Sequence, residues 1–159
     1  MRVSILTISD SVSAGKSEDR SGPSVSSRCK QLGWEVVSAA VRADDHAAIA
    51  GFLKQTADSN AVDLILTTGG TGLGPRDVTP EATAAVVERL IPGFPERMRA
   101  AGAAKTPRAI LSRGAAGIRG ATIIINLPGS PTGAVESLDA VADLLPHSVA
   151  VLHGLHHGS

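Results

Sequence analysis

With 159 residues and 43% apolar side chains, the chain suffices for one domain burying roughly two thirds of its unfolded surface. Its 15 Lys and Arg balance its 15 Asp and Glu, which argues against a nucleic acid or a membrane surface as the main partner. A single cysteine, Cys29, excludes an internal disulfide, and Trp34, Phe52 and Phe94 are the only aromatic residues, so the core must come from Val, Ile, Leu and Ala.

Arg2 to Ser9 reads as a buried strand, and Asp10 to Arg20 as a polar loop whose Ser11, Ser13 and Gly15 offer phosphate contacts or simple solvation. The opening M-R-V-S-I-L-T-I-S-D is too short and polar for a signal sequence, and no apolar run reaches membrane-spanning length, so a soluble cytoplasmic protein is expected. Gly22 to Gly33 places Val25, Cys29 and Leu32 on one helix face, which gives Cys29 a packing role. Trp34 to Val41 is the second strand. Asp44 and Asp45 precede a helix over Ala47 to Ala57. An Asp at that place serves as an N-cap, or it lies along the ligand crevice of a doubly wound fold and faces Asp77 there.

Val62 to Thr67 is a short apolar run suited to a strand buried on both faces. Gly69, Gly70, Thr71, Gly72 and Gly74 follow. Such a loop can adopt positive φ and bring backbone N–H groups to an anion, or it can merely turn the chain. It is neither a P-loop, lacking a following Lys-Ser/Thr, nor the dinucleotide fingerprint, whose spacing fails at Pro75. Arg76 and Asp77 come next, then Thr79-Pro80-Glu81 as a helix start with Thr79 as N-cap. Two carboxylates, Asp44 and Asp77, on one crevice would suit Mg²⁺, which takes one or two carboxylates plus substrate phosphates.

Pro80 to Leu90 and Phe94 to Lys105 read as helices, Ala109 to Ser112 as a short apolar piece, and G-A-A-G after Arg113 as flexible. Arg97 to Gly120 holds six cations (Arg97, Arg99, Lys105, Arg108, Arg113, Arg119) and no carboxylate: a solvated basic face, or an attractor for an anionic small molecule. Ala121 to Leu127 is the plainest buried strand, and it runs into Pro128-Gly129-Ser130-Pro131. Asn126 at its end ties down that loop or touches a ligand. Val135, Leu138, Ala142 and Leu145 mark a closing helix, and Pro146 starts a last one ending near Gly154. Strands alternating with helices predict an α/β fold, a three-layer sandwich with a mostly parallel central sheet, as one domain over 1–154 with a flexible tail at 155–159. His153, His156 and His157 have spacing that could hold a metal, although a frayed terminus reads the same way.

Five segments together resemble the molybdenum-cofactor biosynthesis family, in particular molybdopterin adenylyltransferases and the G domain of gephyrin. They are T-G-G-T-G (Thr68 to Gly72), P-R-D-V-T-P-E-A-T (Pro75 to Thr83), L-S-R (Leu111 to Arg113), A-A-G-I-R-G (Ala115 to Gly120) and N-L-P-G-S-P (Asn126 to Pro131). The likeness runs from Ser9-Asp10 to about Gly154. It implies adenylyl transfer from Mg²⁺-bound ATP to the phosphate of molybdopterin with release of pyrophosphate, a homotrimer, and a downstream molybdate-insertion protein that takes the product. By motif it assigns catalysis and the metal to Asp44 and Asp77. It assigns nucleotide or pterin binding to Gly69, Gly70, Thr71, Gly72, Ser112, Asn126, Gly129 and Ser130. The family commonly shows P-D-E where this chain has Ala43-Asp44-Asp45, so Asp45 could share the role of Asp44. A catalytically silent molybdopterin-binding scaffold is the alternative; molybdate insertion itself is weaker, because the enzymes for that step carry further domains.

Overall fold

The computed structural model describes residues 1–155. His156 and His157 of the tail reading lie outside the described residues. In chain order the elements are β1 (Arg2–Ile8), α1 (Asp10–Ser13), α2 (Ser21–Gln31), β2 (Glu35–Arg42), α3 (His46–Asp58), β3 (Leu64–Thr68), α4 (Thr79–Val86), β4 (Arg89–Leu90), α5 (Gly93–Ala103), β5 (Ala116–Arg119), β6 (Thr122–Leu127), α6 (Pro131–Val141) and α7 (Leu145–Leu152), with a 3₁₀ turn at Pro107–Leu111.

The sheet order is β2-β1-β3-β6-β5-β4. β2, β1, β3 and β6 run parallel; β5 runs against β6, and β4 pairs antiparallel with β5, so β4 has the direction of the main sheet again. Alternation along the three central strands divides the interior in two. Val3, Ile5, Leu64, Leu66, Ile123, Ile125 and Leu127 meet α2, α5, α6 and α7 on one face. Leu6, Ile8, Ile65 and Ile124 meet α3 and α4 on the other. A period of two in the strands thus yields the expected three layers. Cys29 is buried in the first cluster, where desolvation pushes its thiol up to about 12, which fits packing rather than reaction.

The chain leaves β1 toward β2 on one side, then returns to place β3 on the other. That reversal opens a crevice above the C-terminal ends of β1 and β3, the usual ligand position in such sheets.

Several local expectations are corrected. α4 stops at Val86 instead of reaching Leu90, and Arg89 and Leu90 pair with Ile118 and Gly117. The stretch expected to be flexible therefore contains the start of β5. Gly117 is there for proximity, not freedom: a Cβ would lie 2.7 Å from the Val87 side chain and 2.8 Å from the Arg89 carbonyl oxygen. Thr79 is no N-cap. Val78 holds that position without a side-chain bond, while the Thr79 hydroxyl donates to the Gly69 carbonyl at 2.9 Å and its N–H to the Gly70 carbonyl at 3.1 Å. Of the apolar piece expected over Ala109 to Ser112, Ala109, Ile110 and Leu111 belong to the 3₁₀ turn, which buries no residue.

Candidate functional site

The crevice holds a cavity of 390 Å³ lined by the end of β1 (Thr7, Ile8, Ser9), the end of β3 (Thr68, Gly69, Gly70), Asp44, Asp77, the loop after β6 (Gly129, Pro131) and a wall from the segment 11–21 that carries Ser11, Glu18, Asp19 and Arg20. Gly69 and Gly70 have φ of +109° and +69°. A Cβ on Gly69 would overlap the Ile8 carbonyl oxygen, and one on Gly70 would overlap the Thr79 hydroxyl. The two glycines let β3 end against β1 and α4 with bare backbone. Gly69 N–H donates to the Leu127 carbonyl at 3.1 Å and the Thr68 hydroxyl to the Pro128 carbonyl at 2.6 Å, so the loops after β3 and β6 are tied together.

Asp44 and Asp45 divide the two tasks that the sequence left open. Asp45 caps α3 through Ala48 N–H at 2.8 Å. Asp44 turns into the crevice instead. Its Oδ2 accepts from Asp10 N–H at 3.0 Å, and its own N–H donates to Asp10 Oδ1 at 3.0 Å. Asp77 is held from the other side: its Oδ2 accepts from Gly74 N–H at 2.9 Å, and its carbonyl accepts from Arg113 Nη2 at 2.7 Å. Each carboxylate keeps one oxygen without a partner among the described residues. Burial pushes the Asp44 carboxyl above the usual carboxylate range; the Asp10 N–H opposes this, the Asp10 and Asp77 charges add to it, and Arg76 opposes it. A cation placed there would offset the like charges of Asp10, Asp44 and Asp77. Among the described residues no group of three or more His, Cys, Asp and Glu could form a protein-only metal cage. Mg²⁺ needs none, since substrate phosphates and water complete its shell, and the spare oxygens of Asp44 and Asp77 fit it.

On the other side of the Pro128–Pro131 loop lies a second cleft, of 560 Å³, lined by Met98, Arg99, Arg108, Ser112, Asn126 and Ser130 among others. Gly129 and Pro131 face the first cavity, while Pro128 and Ser130 face the second.

A family model described as "Probable molybdopterin binding domain" matches residues 4–147. The molybdopterin adenylyltransferase of Escherichia coli K12 is 37% identical over 158 residues, covering 98% of this chain and 80% of that protein. The molybdenum cofactor biosynthesis bifunctional protein of Synechococcus elongatus is 40% identical over 98% of this chain, which spans 48% of that protein's length. Among solved structures, the molybdopterin biosynthesis enzyme MoaB of Thermus thermophilus superposes with a TM-score of 0.91 at 47% identity, covering 97% of both chains. The chain belongs to the molybdenum-cofactor biosynthesis family.

Of the residues that the family motifs marked, Asp44, Asp77, Gly69, Gly70 and Gly129 line the carboxylate cavity, and Ser112, Asn126 and Ser130 line the cleft. Thr71 and Gly72 line neither. They serve as anchors: Arg113 N–H donates to the Thr71 carbonyl at 2.8 Å and Arg113 Nε to the Gly72 carbonyl at 2.8 Å. The Asn126 amide is spent internally, donating to the Thr67 and Thr83 hydroxyls at 3.0 and 2.9 Å and accepting from Ala115 N–H at 3.0 Å. The Ser130 hydroxyl caps α6 through Gly133 N–H at 3.0 Å. In the basic stretch the structure sorts the cations. Arg97, Lys105, Arg113 and Arg119 pair with Asp143, Glu136, Glu81 and Asp58. Arg99 and Arg108 have no carboxylate partner among the described residues, and both line the cleft. Sequence reasoning gave no role to Asp10; its signal was an Asp directly after a buried strand, at the crevice end.

Proposed function

We propose that the chain is a molybdopterin adenylyltransferase acting in molybdenum cofactor biosynthesis, with Mg²⁺-bound ATP as the adenylyl donor. The observation that carries this reading is the meeting of Asp44 and Asp77, from two different crossover loops, on one cavity beside the bare backbone of Gly69 and Gly70.

Asp44 and Asp77 would hold the metal through their spare oxygens, and the metal would neutralise triphosphate charge. The triphosphate lies in the carboxylate cavity and the pterin in the adjoining cleft, where Met98, Pro95 and Ala109 offer apolar contact to a flat ring and Arg99 and Arg108 attract its phosphate. A terminal phosphate oxygen of molybdopterin attacks the α-phosphorus of ATP; that P–O bond forms as the bond to the β-phosphate oxygen breaks, and pyrophosphate leaves. Such a transfer asks the protein for positioning and charge compensation rather than a covalent nucleophile, and the buried Cys29 thiol stays out of it. The resemblance further implies a homotrimer in the cytoplasm that hands its product to a molybdate-insertion protein; light scattering reads the first of these. No helix among the described residues is long and apolar enough to cross a membrane.

The test is pyrophosphate release with ATP, Mg²⁺ and molybdopterin. Stoichiometric release supports the transferase; molybdopterin binding without release supports the silent binding homologue.

A further inference from the structure

Asp10 and Arg76 join two loops that the sequence keeps 66 residues apart. Asp10 opens α1, with only Ser9 between it and the end of β1, and Arg76 immediately precedes Asp77. The guanidinium grips the carboxylate with both arms, Nε to Oδ2 at 3.0 Å and Nη2 to Oδ1 at 3.0 Å. Asp10 at the same time makes a reciprocal backbone pair with Asp44, each N–H donating to the other's carboxylate at 3.0 Å. A continuous run of charge-assisted contacts thus leads from Asp44 through Asp10 to Arg76, the residue next to Asp77.

Resting on the transferase reading above, we propose that Asp10 and Arg76 form a positioning clasp that sets the spacing of the Asp44 and Asp77 carboxylates for one divalent cation. Neither residue lines the cavity itself. The pair is half-exposed, with Arg76 at 67% and Asp10 at 45% side-chain exposure, and an ion pair that open to water adds little to folding stability. Its effect is geometric. Asp45 is occupied by its cap and Asp77 by Gly74 and Arg113, so among the described residues no other side-chain hydrogen bond ties the Asp44 loop to the glycine loop. A bidentate Arg–carboxylate fork fixes direction as well as distance, which a lysine at position 76 would not reproduce.

The experiment uses the full chain with ATP and Mn²⁺ as the probe, following free Mn²⁺ by electron paramagnetic resonance alongside turnover and melting temperature. In Arg76→Ala and in Asp10→Asn the Mn²⁺ dissociation constant in the presence of ATP should rise about tenfold or more, the range expected for residues that orient metal ligands. KM for the metal nucleotide should rise in step while kcat recovers at saturating metal. The melting temperature should move by less than about 3 °C. Arg76→Lys should fall between the wild type and Arg76→Ala, and the double variant should bind Mn²⁺ no more weakly than the worse single one, because both remove one linkage. Unchanged Mn²⁺ affinity in both single variants, or losses that add in the double variant, would overturn the clasp. So would a large fall in melting temperature that accounts for the loss of binding and is equal in Arg76→Lys. Asp77→Asn separates the two proposals: if it too leaves Mn²⁺ binding intact, the transferase reading fails; if it alone abolishes binding, only the clasp fails.

Discussion

The two adjoining cavities share the Pro128–Pro131 loop but are built by opposite means. In the carboxylate cavity, side chains of like charge are held together by backbone: Gly69 and Gly70 strip the wall to bare peptide, and N–H groups of Asp10 and Gly74 each occupy one oxygen of an acid. In the cleft, cations stand on an apolar floor and the one fully buried amide, Asn126, has turned inward to Thr67 and Thr83. The first place gathers acids of like charge. The second sets Arg99 and Arg108 on an open surface whose one acid, Glu136, is paired with Lys105. The contrast teaches that the glycine loop sets bare backbone beside two acids, while arginines without a carboxylate partner among the described residues lie beyond the Pro128–Pro131 loop.

The largest effect that separates the two cavities is catalytic. Asp77→Asn should lower pyrophosphate release by about 10²-fold or more, the scale of losing a group that stabilises charge at the reacting centre, with molybdopterin binding retained. A loss of pterin binding instead would place the ring in the wrong cavity. Next comes stability. Gly69→Ala should cost about 2–4 kcal/mol in denaturant unfolding, since the side chain meets both a positive φ and the Ile8 carbonyl. A neutral result would mean that β1 and the glycine loop are not locked as described. In the cleft, Arg108→Ala should weaken molybdopterin binding by roughly tenfold, the worth of one charge-assisted hydrogen bond, and leave ATP affinity unchanged. Equal losses for both ligands would erase the distinction.

The smallest effect has an unusual sign. Folding holds the Asp44 carboxyl above its ordinary range, so the native state prefers the protonated form and the ionised form costs stability once pH rises through the folded value. Asp44→Asn should therefore raise the melting temperature at pH 7, and the gain should vanish as pH falls below the usual carboxylate range. A lower melting temperature at pH 7 would show that Asp44 is stabilised, not strained, by its neighbours.

How much of this is legible in the sequence follows the range of the forces involved. β1, β3 and β6 are plain because apolar runs buried on both faces leave no polar alternation to mistake. That Asp44 and Asp77 reach one cavity is legible through the crevice rule. β4 and β5 escape a sequence reading because a two-residue strand and a glycine-containing partner carry no periodicity; they are joined by backbone pairing between segments about 28 residues apart, which Gly117 permits by admitting Val87 and Arg89 so closely. Thr79 departs from its expected cap because its hydroxyl finds a carbonyl ten residues upstream before it can cap its own helix. The Asp10–Arg76 pair is a long-range contact between loops, and nothing local in either segment names its partner.

The most direct test of the shared-cavity claim is a crystal structure with ATP and Mn²⁺, using the metal's anomalous signal. The account predicts one metal bound by oxygens of both Asp44 and Asp77, with the triphosphate beside Gly69 and Gly70. Metal and triphosphate lodged instead among Arg99, Arg108 and Ser112, with neither aspartate engaged, would contradict it.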